Sequence, residues 1–286
     1  MGVRTGTLKA RPRTQAQSAF SVDGTKWFLL NASPDLRQQV LSSADLVPPA
    51  GSRNSPITAV VLTSADVDAV MGLLHLREFQ PLHIFSTIAV RRILCEENSL
   101  FRVLARSNPP VKWETLPLDR LIPLIPPSPA DKKSGLFCKA VSLNGTFPDY
   151  VSESLRNSLS PEEAVIGLTL VSKEKKLFYA PNLPGIGDHW LRCIEESDLA
   201  ILDGTFWKDD ELHSIQKGSK SARQMGHLPL WGDRGLLRQP FRPGKTRRVL
   251  IHINNTNPIL NDESPESRIA REAGWEIAYD GMEIAI

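Results

Sequence analysis

The feature that most constrains this chain is a series of short apolar runs, each closed off by turn residues: 27–30, 57–62, 177–179, 199–202, 249–253 and 275–278. Runs of this length without polar alternation are the pattern of strands covered on both faces. Helix-spaced stretches lie between several of them. Residues 67–78 place Val70, Leu73, Leu74 and Leu76 on one face, and 87–106 do the same with Val90, Ile93, Leu94, Phe101 and Leu104. Residues 265–273 begin with proline at a first helical position and end before Gly274. Strands interleaved with helices predict an α/β chain of packed layers. Two pieces break this rhythm. The Pro-rich stretch 121–130 reads as an exposed connector, and 205–243 is long enough to be an insertion over a site. Nothing requires two independent domains, so the reading is one domain over 1–286 carrying that insertion.

Charge and cysteine content narrow the function classes. Lysine and arginine total 34 against 32 acidic residues, a net charge of +2 that does not point to a nucleic-acid partner. The basic run Lys245-Thr246-Arg247-Arg248 reads as a solvated approach to the next buried strand. Cys95, Cys138 and Cys193 are odd in number and far apart, which forms neither a disulfide framework nor a Cys-x-x-Cys metal knuckle. Such usage suits a reducing compartment. No apolar run reaches the ~18 residues of a membrane span, and the basic N-terminus lacks the apolar core of a secretory signal. The expectation is a cytoplasmic protein without stable membrane insertion.

Four segments could carry chemistry. Loops at the carboxyl ends of parallel strands are where α/β proteins place ligands. Leu62-Thr63-Ser64-Ala65-Asp66-Val67-Asp68-Ala69 sits between an apolar run and a helical stretch, and Asp203-Gly204-Thr205 follows the run 199–202. His227 lies between Gly226 and Leu228 inside the insertion, and His252 lies inside the apolar run 249–253. A histidine in that setting is either a satisfied core residue or a ligand. Asp66 and Asp68 suit helix caps as well as ligands, and Asp203 suits a turn. Carboxylates and histidines in this mixture match zinc or iron.

Longer motifs fix the order of these residues. They include Asn31-Ala32-Ser33-Pro34-Asp35-Leu36, Gly72-Leu73-Leu74, Leu177-Phe178-Tyr179-Ala180-Pro181, Asp203-Gly204-Thr205-Phe206-Trp207, Met225-Gly226-His227-Leu228 and His252-Ile253-Asn254-Asn255-Thr256-Asn257-Pro258-Ile259-Leu260, closed by Asp280-Gly281-Met282. Over nearly its whole length the chain resembles the coenzyme PQQ (pyrroloquinoline quinone) synthesis protein B family. The resemblance implies an αββα metallo-β-lactamase-like four-layer sandwich with a metal site at one edge. The signature loop of that fold, His-x-His-x-Asp-His, reads Ser64-Ala65-Asp66-Val67-Asp68-Ala69 here. Through it the resemblance implies that Asp68, Asp203 and His252 are metal ligands converging on one site, and that His227 is the catalytic histidine beside them. Ala69 stands where the family keeps the last loop histidine, which implies iron or zinc bound weakly or not at all. The family's Gly-rich first strand and Cys-rich zinc segment have no counterpart before Cys95, which leaves two readings: the start is truncated, or this member has lost its structural zinc.

The function implied is a step in PQQ biosynthesis: iron-dependent oxygenase chemistry that hydroxylates the tyrosine moiety of a Glu-Tyr precursor. The partner is then a small molecule or short peptide. Two alternatives stay open. One is an impaired homologue that binds or carries PQQ or its precursor, including its transport to the periplasm; the other is a metal-dependent hydrolase. In the insertion, Phe206, Trp207, Trp231 and Phe241 are expected to pack over a tyrosine-like precursor, with Lys217, Lys220, Arg223 and Arg234 available to its carboxylates.

Overall fold

The strongly apolar runs all become strands in the computed structural model, which describes residues 5, 10–52, 54–76, 82–106, 111–125, 135–242 and 244–286. The chain divides into two units, Gln15–Ile166 and Met1–Thr14 with Gly167–Ile286.

In the unit Gln15–Ile166, five strands form a sheet in chain order: β1 (Ser18–Ser21), β2 (Trp27–Leu30), β3 (Ile57–Val61), β4 (His83–Ser86) and β5 (Lys112–Thr115). β1 and β2 are antiparallel, and β2 through β5 pair in parallel. Leu29, Leu30, Val60, Val61 and Ile84 are buried, as strands covered on both faces require. β6 (Leu121–Ile125) and β7 (Leu136–Ser142) form an antiparallel pair that is not part of this five-stranded sheet. The first half of 121–130 is therefore a strand rather than a connector, and 126–130 lie outside the described residues. Pro123 sits in β6 beside a register irregularity between Pro123 and Ile125, where a missing N–H is tolerated.

Both helical expectations in this unit are shorter than the spacing suggests. Residues 67–78 form one α-turn, Val67–Val70, followed by a 3₁₀ segment, Met71–Leu76; residues 77 and 78 lie outside the described residues. Residues 87–106 start as Ile88–Arg92, with Thr87 Oγ1 accepting the Val90 amide at 3.2 Å, and break at Asn98, whose backbone is extended. The Asn98 side chain donates to the Ile93 carbonyl at 3.2 Å, supplying a local alternative to the helical bond.

The loop after β3 is clamped to the turn after β2. Asn31, in a left-handed conformation (φ 66°), donates through Nδ2 to Thr63 Oγ1 and accepts the Thr63 amide, both at 2.9 Å. The Ala32 amide donates to the Ala69 carbonyl at 2.7 Å, and the Gly72 amide to the Ala32 carbonyl at 2.8 Å. Tyr150 adds a hydrogen bond from its hydroxyl to the Ala65 carbonyl. Burial, with Asp66 and Glu97 nearby, pushes that hydroxyl up to about 12. At Gly72 the chains approach so closely that a Cβ would lie 2.3 Å from the Ser33 carbonyl oxygen. Gly72→Ala is thus expected to lower stability by about 1–3 kcal/mol, the usual cost of forcing atoms into filled space. An unchanged denaturation midpoint would contradict this close approach.

In the other unit, β8 (Ile166–Ser172) and β9 (Lys175–Ala180) are antiparallel. β9, β10 (Leu199–Asp203), β11 (Arg247–Ile251) and β12 (Trp275–Ile277) follow in parallel. Every residue of β10 is buried. The helix Asp188–Glu195 joins β9 to β10. Pro265–Glu272 precedes β12, capped by Ser264 Oγ accepting the Ser267 amide at 3.0 Å. Between β10 and β11 the described residues hold only 3₁₀ turns, at Glu211–Ser214, Arg223–Met225 and Leu236–Arg238. Among the described residues Cys95, Cys138 and Cys193 form no disulfide. Among the described residues no helix is long and apolar enough to cross a membrane.

Candidate metal centre

Three adjacent parallel strands end side by side, and a polar cluster forms where they stop. β10 ends at Asp203, which has no solvent exposure. β11 ends at Ile251, so His252 is not inside the strand as its apolar neighbours suggest. It is the first residue beyond, in a left-handed conformation (φ 59°) that turns the chain out of the sheet. Histidine is among the side chains that visit this region more readily than β-branched ones do. Next to β9's end, Pro181 presents its carbonyl to His252 Nδ1 at 3.0 Å. His227 arrives from the 205–243 segment, directly after Gly226, whose φ of 82° closes a 3₁₀ turn. Its amide donates to the Ala222 carbonyl at 2.9 Å, and its ring packs edge-on against Phe206, centroids 5.8 Å apart.

The hydrogen bonds fix both imidazoles. A carbonyl can only accept, so His252 Nδ1 carries the proton it shares with Pro181. His227 Nδ1 lies 2.7 Å from Asp203 Oδ2, and an ionised carboxylate also only accepts. Asp203 Oδ2 takes the Leu183 amide as well, at 2.9 Å. Oδ1 accepts the Thr205 amide at 2.9 Å and the Thr205 hydroxyl at 2.6 Å. The same hydroxyl oxygen accepts from His252 Nδ1 at 3.1 Å. Burial alone would raise the Asp203 carboxyl. The charges of His227 and His252 and the hydrogen bonds from His227 and Thr205 outweigh it and hold the group below its ordinary value.

The donor atoms of Asp203, His227 and His252 lie within 4.8 Å of one another. Two imidazoles and a carboxylate at that spacing fit zinc or iron(II) by chemistry. Asp203 and His252, expected as ligands, are thus brought together with His227. Asp68 belongs to the other unit, in the first turn of Val67–Val70. Thr205, Pro181 and Leu183 had no role in the sequence reading. The only signal was the Asp-x-Thr spacing, which puts a hydroxyl within reach of the preceding carboxylate. The aromatic residues of the segment are engaged with other rings of the protein. Trp207 stacks on Trp231 at 5.6 Å with 7° between planes, and Phe241 packs on Trp275 at 5.7 Å.

The loop that carries His252 is held by Asn257, a buried residue whose Nδ2 donates to the carbonyls of Gly204 at 2.8 Å and Thr205 at 3.2 Å, and whose Oδ1 accepts the Ile259 amide at 3.1 Å.

Fold and cluster together define a protein of the metallo-β-lactamase superfamily. Residues 26–253 match the family model described as "Beta-lactamase superfamily domain". The coenzyme PQQ synthesis protein B of Cupriavidus necator is 39% identical, over 100% of this chain and 92% of its own length. That of Methylococcus capsulatus is 40% identical, over 99% and 91%. The crystal structure of Zn(2+)-bound PqqB from Methylobacterium extorquens superposes with a TM-score of 0.88 at 34% identity, covering 100% of this chain and 92% of that one. The chain belongs to the coenzyme PQQ synthesis protein B family, which places it in PQQ biosynthesis.

Asn257→Ala is expected to cost about 1–3 kcal/mol, because it removes the side-chain donor to the Gly204 carbonyl and the acceptor of the Ile259 amide, while the Thr205 carbonyl keeps the Asn254 amide. It should also loosen His252, seen as broadened imidazole resonances. An Asn257→Ala protein with wild-type stability would show that water replaces these bonds.

Proposed function

We propose that this chain hydroxylates the tyrosine moiety of a Glu-Tyr PQQ precursor, with the metal at Asp203, His227 and His252. The observation that carries this reading is the strand-end cluster, found in a chain so similar to coenzyme PQQ synthesis proteins over its full length. That the Methylobacterium extorquens PqqB, 34% identical, is Zn(2+)-bound supports a metal-binding role for this chain. Hydroxylation replaces a ring C–H by C–OH. It consumes one dioxygen, two electrons and two protons and releases one water, with the electrons drawn from an external reductant. A bound iron(II) would supply oxygen activation; zinc, which has no redox chemistry, would not.

The residues of this chain supply position and charge. Asp203 keeps a negative charge next to the imidazoles and neutralises part of any cation they take up. His252 is held through Nδ1 by Pro181 and Thr205, and His227 through Nδ1 by Asp203, so the ring orientations exist before any ligand arrives. Two uses are open to the remaining nitrogen of His227, proton transfer to the substrate or a bond to the metal.

The test is to load anaerobically purified protein with iron(II) and add the Glu-Tyr precursor, a reductant and oxygen. The expected result is gain of one oxygen atom on the tyrosine ring, seen by mass spectrometry and abolished in His252→Ala. Precursor binding without oxygen incorporation would replace this reading with a carrier role. Cleavage of the precursor would replace it with hydrolysis.

A further inference from the structure

The basic run Lys245-Thr246-Arg247-Arg248 holds two adjacent arginines in opposite situations. Arg247 opens β11 and pairs with Glu276 of β12, its Nη2 donating to Oε2 at 2.8 Å. Successive strand residues face opposite sides of a sheet, so Arg248 leaves that carboxylate behind. Its guanidinium carbon lies 5.2 Å from the ring centroids of both Phe241 and Trp275, and those rings meet at 5.7 Å with 70° between planes. Arg248 is half-buried, and its Nε is buried without a hydrogen-bond partner. Burial holds the group below its ordinary value, with no neighbouring acid to offset the cost. The run is therefore not uniformly solvated, as its composition suggests.

Arginines that leave water are normally paired. The two rings repay part of the desolvation, but they give the Nε–H no acceptor. A buried donor without a partner calls for an account, and a bound anion is one. The surroundings suit it. The recess at Arg248 is lined also by Glu195, Phe241, Arg242 and Lys245, three cations against one carboxylate. It shares Phe241 and Glu195 with a hollow of about 220 Å³ walled by Leu191, Pro240 and Phe241, with Asp188 and Arg192 also on its lining. That volume is below the ~300–1,000 Å³ of pockets for drug-sized ligands, which limits the occupant to a small molecule. A guanidinium fork matches a carboxylate, while Asp188 and Glu195 disfavour a second negative charge on the ligand's body.

We propose that this recess and hollow bind a small organic monoacid, its carboxylate at Arg248 and Lys245 and its apolar body against Phe241 and Leu191. The site is separate from the metal cluster. Arg248 lies near the start of β11 and His252 just past its end, about 13 Å away along the strand.

Benzoate probes the site, with benzyl alcohol as its uncharged counterpart and inorganic phosphate as an anion without an apolar body; ¹⁵N spectra of the full chain give the readout. Benzoate is expected to bind saturably, to shift the Arg248 Nε–H and Trp275 indole resonances, and to bind His252→Ala as it binds wild type. Arg248→Met keeps an unbranched side chain between the rings and should weaken benzoate about 10–100-fold, the usual worth of a hydrogen bond to a charged group. Lys245→Ala, which leaves the ring packing untouched, should weaken it by a smaller factor. Benzoate that leaves Arg248 unshifted, or that binds Arg248→Met and Lys245→Ala as tightly as wild type, overturns the proposal. Benzyl alcohol or phosphate binding as tightly as benzoate overturns it too, by removing the charge or the apolar wall from recognition. Loss of benzoate binding in His252→Ala would move the ligand to the metal cluster and contradict a separate site.

Discussion

A carboxylate sealed from water must be matched by donors, or it protonates or unfolds its surroundings. At Asp203 the match comes from Leu183, Thr205 and His227, each from a different local geometry. Leu183 follows the end of β9, Thr205 follows β10, and His227 comes from the segment before β11. One charge therefore requires these pieces to be in place together. Removing any single partner leaves part of a buried charge uncompensated, which costs more than the same hydrogen bond would on the surface.

The backbone supports this arrangement. The Gly204 amide donates to the Ile251 carbonyl at 2.7 Å, and the Asn254 amide donates to Thr205 at 3.1 Å. The two strand ends are thereby laced together beyond the last ladder pair, Asp203 with Ile251. A Cβ on Gly204 would lie 3.1 Å from the Ile251 carbonyl oxygen, so the smallest residue suits the crossing. Glu211 extends the lacing outward, accepting the Trp207 amide at 2.6 Å and the Thr256 hydroxyl. The 205–243 segment has almost no regular structure, yet these bonds and the Trp207–Trp231 stack fix its first part.

Sequence alone made the buried strands legible because burial on both faces leaves an unbroken apolar run, as in β2, β3 and β10. It hid strands whose burial is partial. β5 is Lys-Trp-Glu-Thr, exposed at both ends, and β6 contains a proline. The helices were overextended because a 3.6-residue pattern continues through Asn98, where a side chain takes over the backbone's bond. At the site, residue types and order were legible from the motifs, while their relations were not. His252 looked like a strand residue because Ile253 continues the apolar run past the turn. Thr205 carries no distinctive signal, and its place between Asp203 and His252 emerges only when β10 and β11 are set in register. The resemblance supplied family, fold and PQQ biosynthesis; the four-donor environment of Asp203 had to come from coordinates.

The central claim is that the buried Asp203 carboxylate organises the strand ends, and amide exchange reads this residue by residue. In wild type the Leu183 and Thr205 amides, both bonded to Asp203, should exchange slowly. In Asp203→Ala these two should lose protection by well over tenfold, equivalent to more than about 1.4 kcal/mol, while Leu168 and Val60, deep in their sheets, keep theirs. Unchanged protection at Leu183 and Thr205 in a folded Asp203→Ala protein would contradict the account.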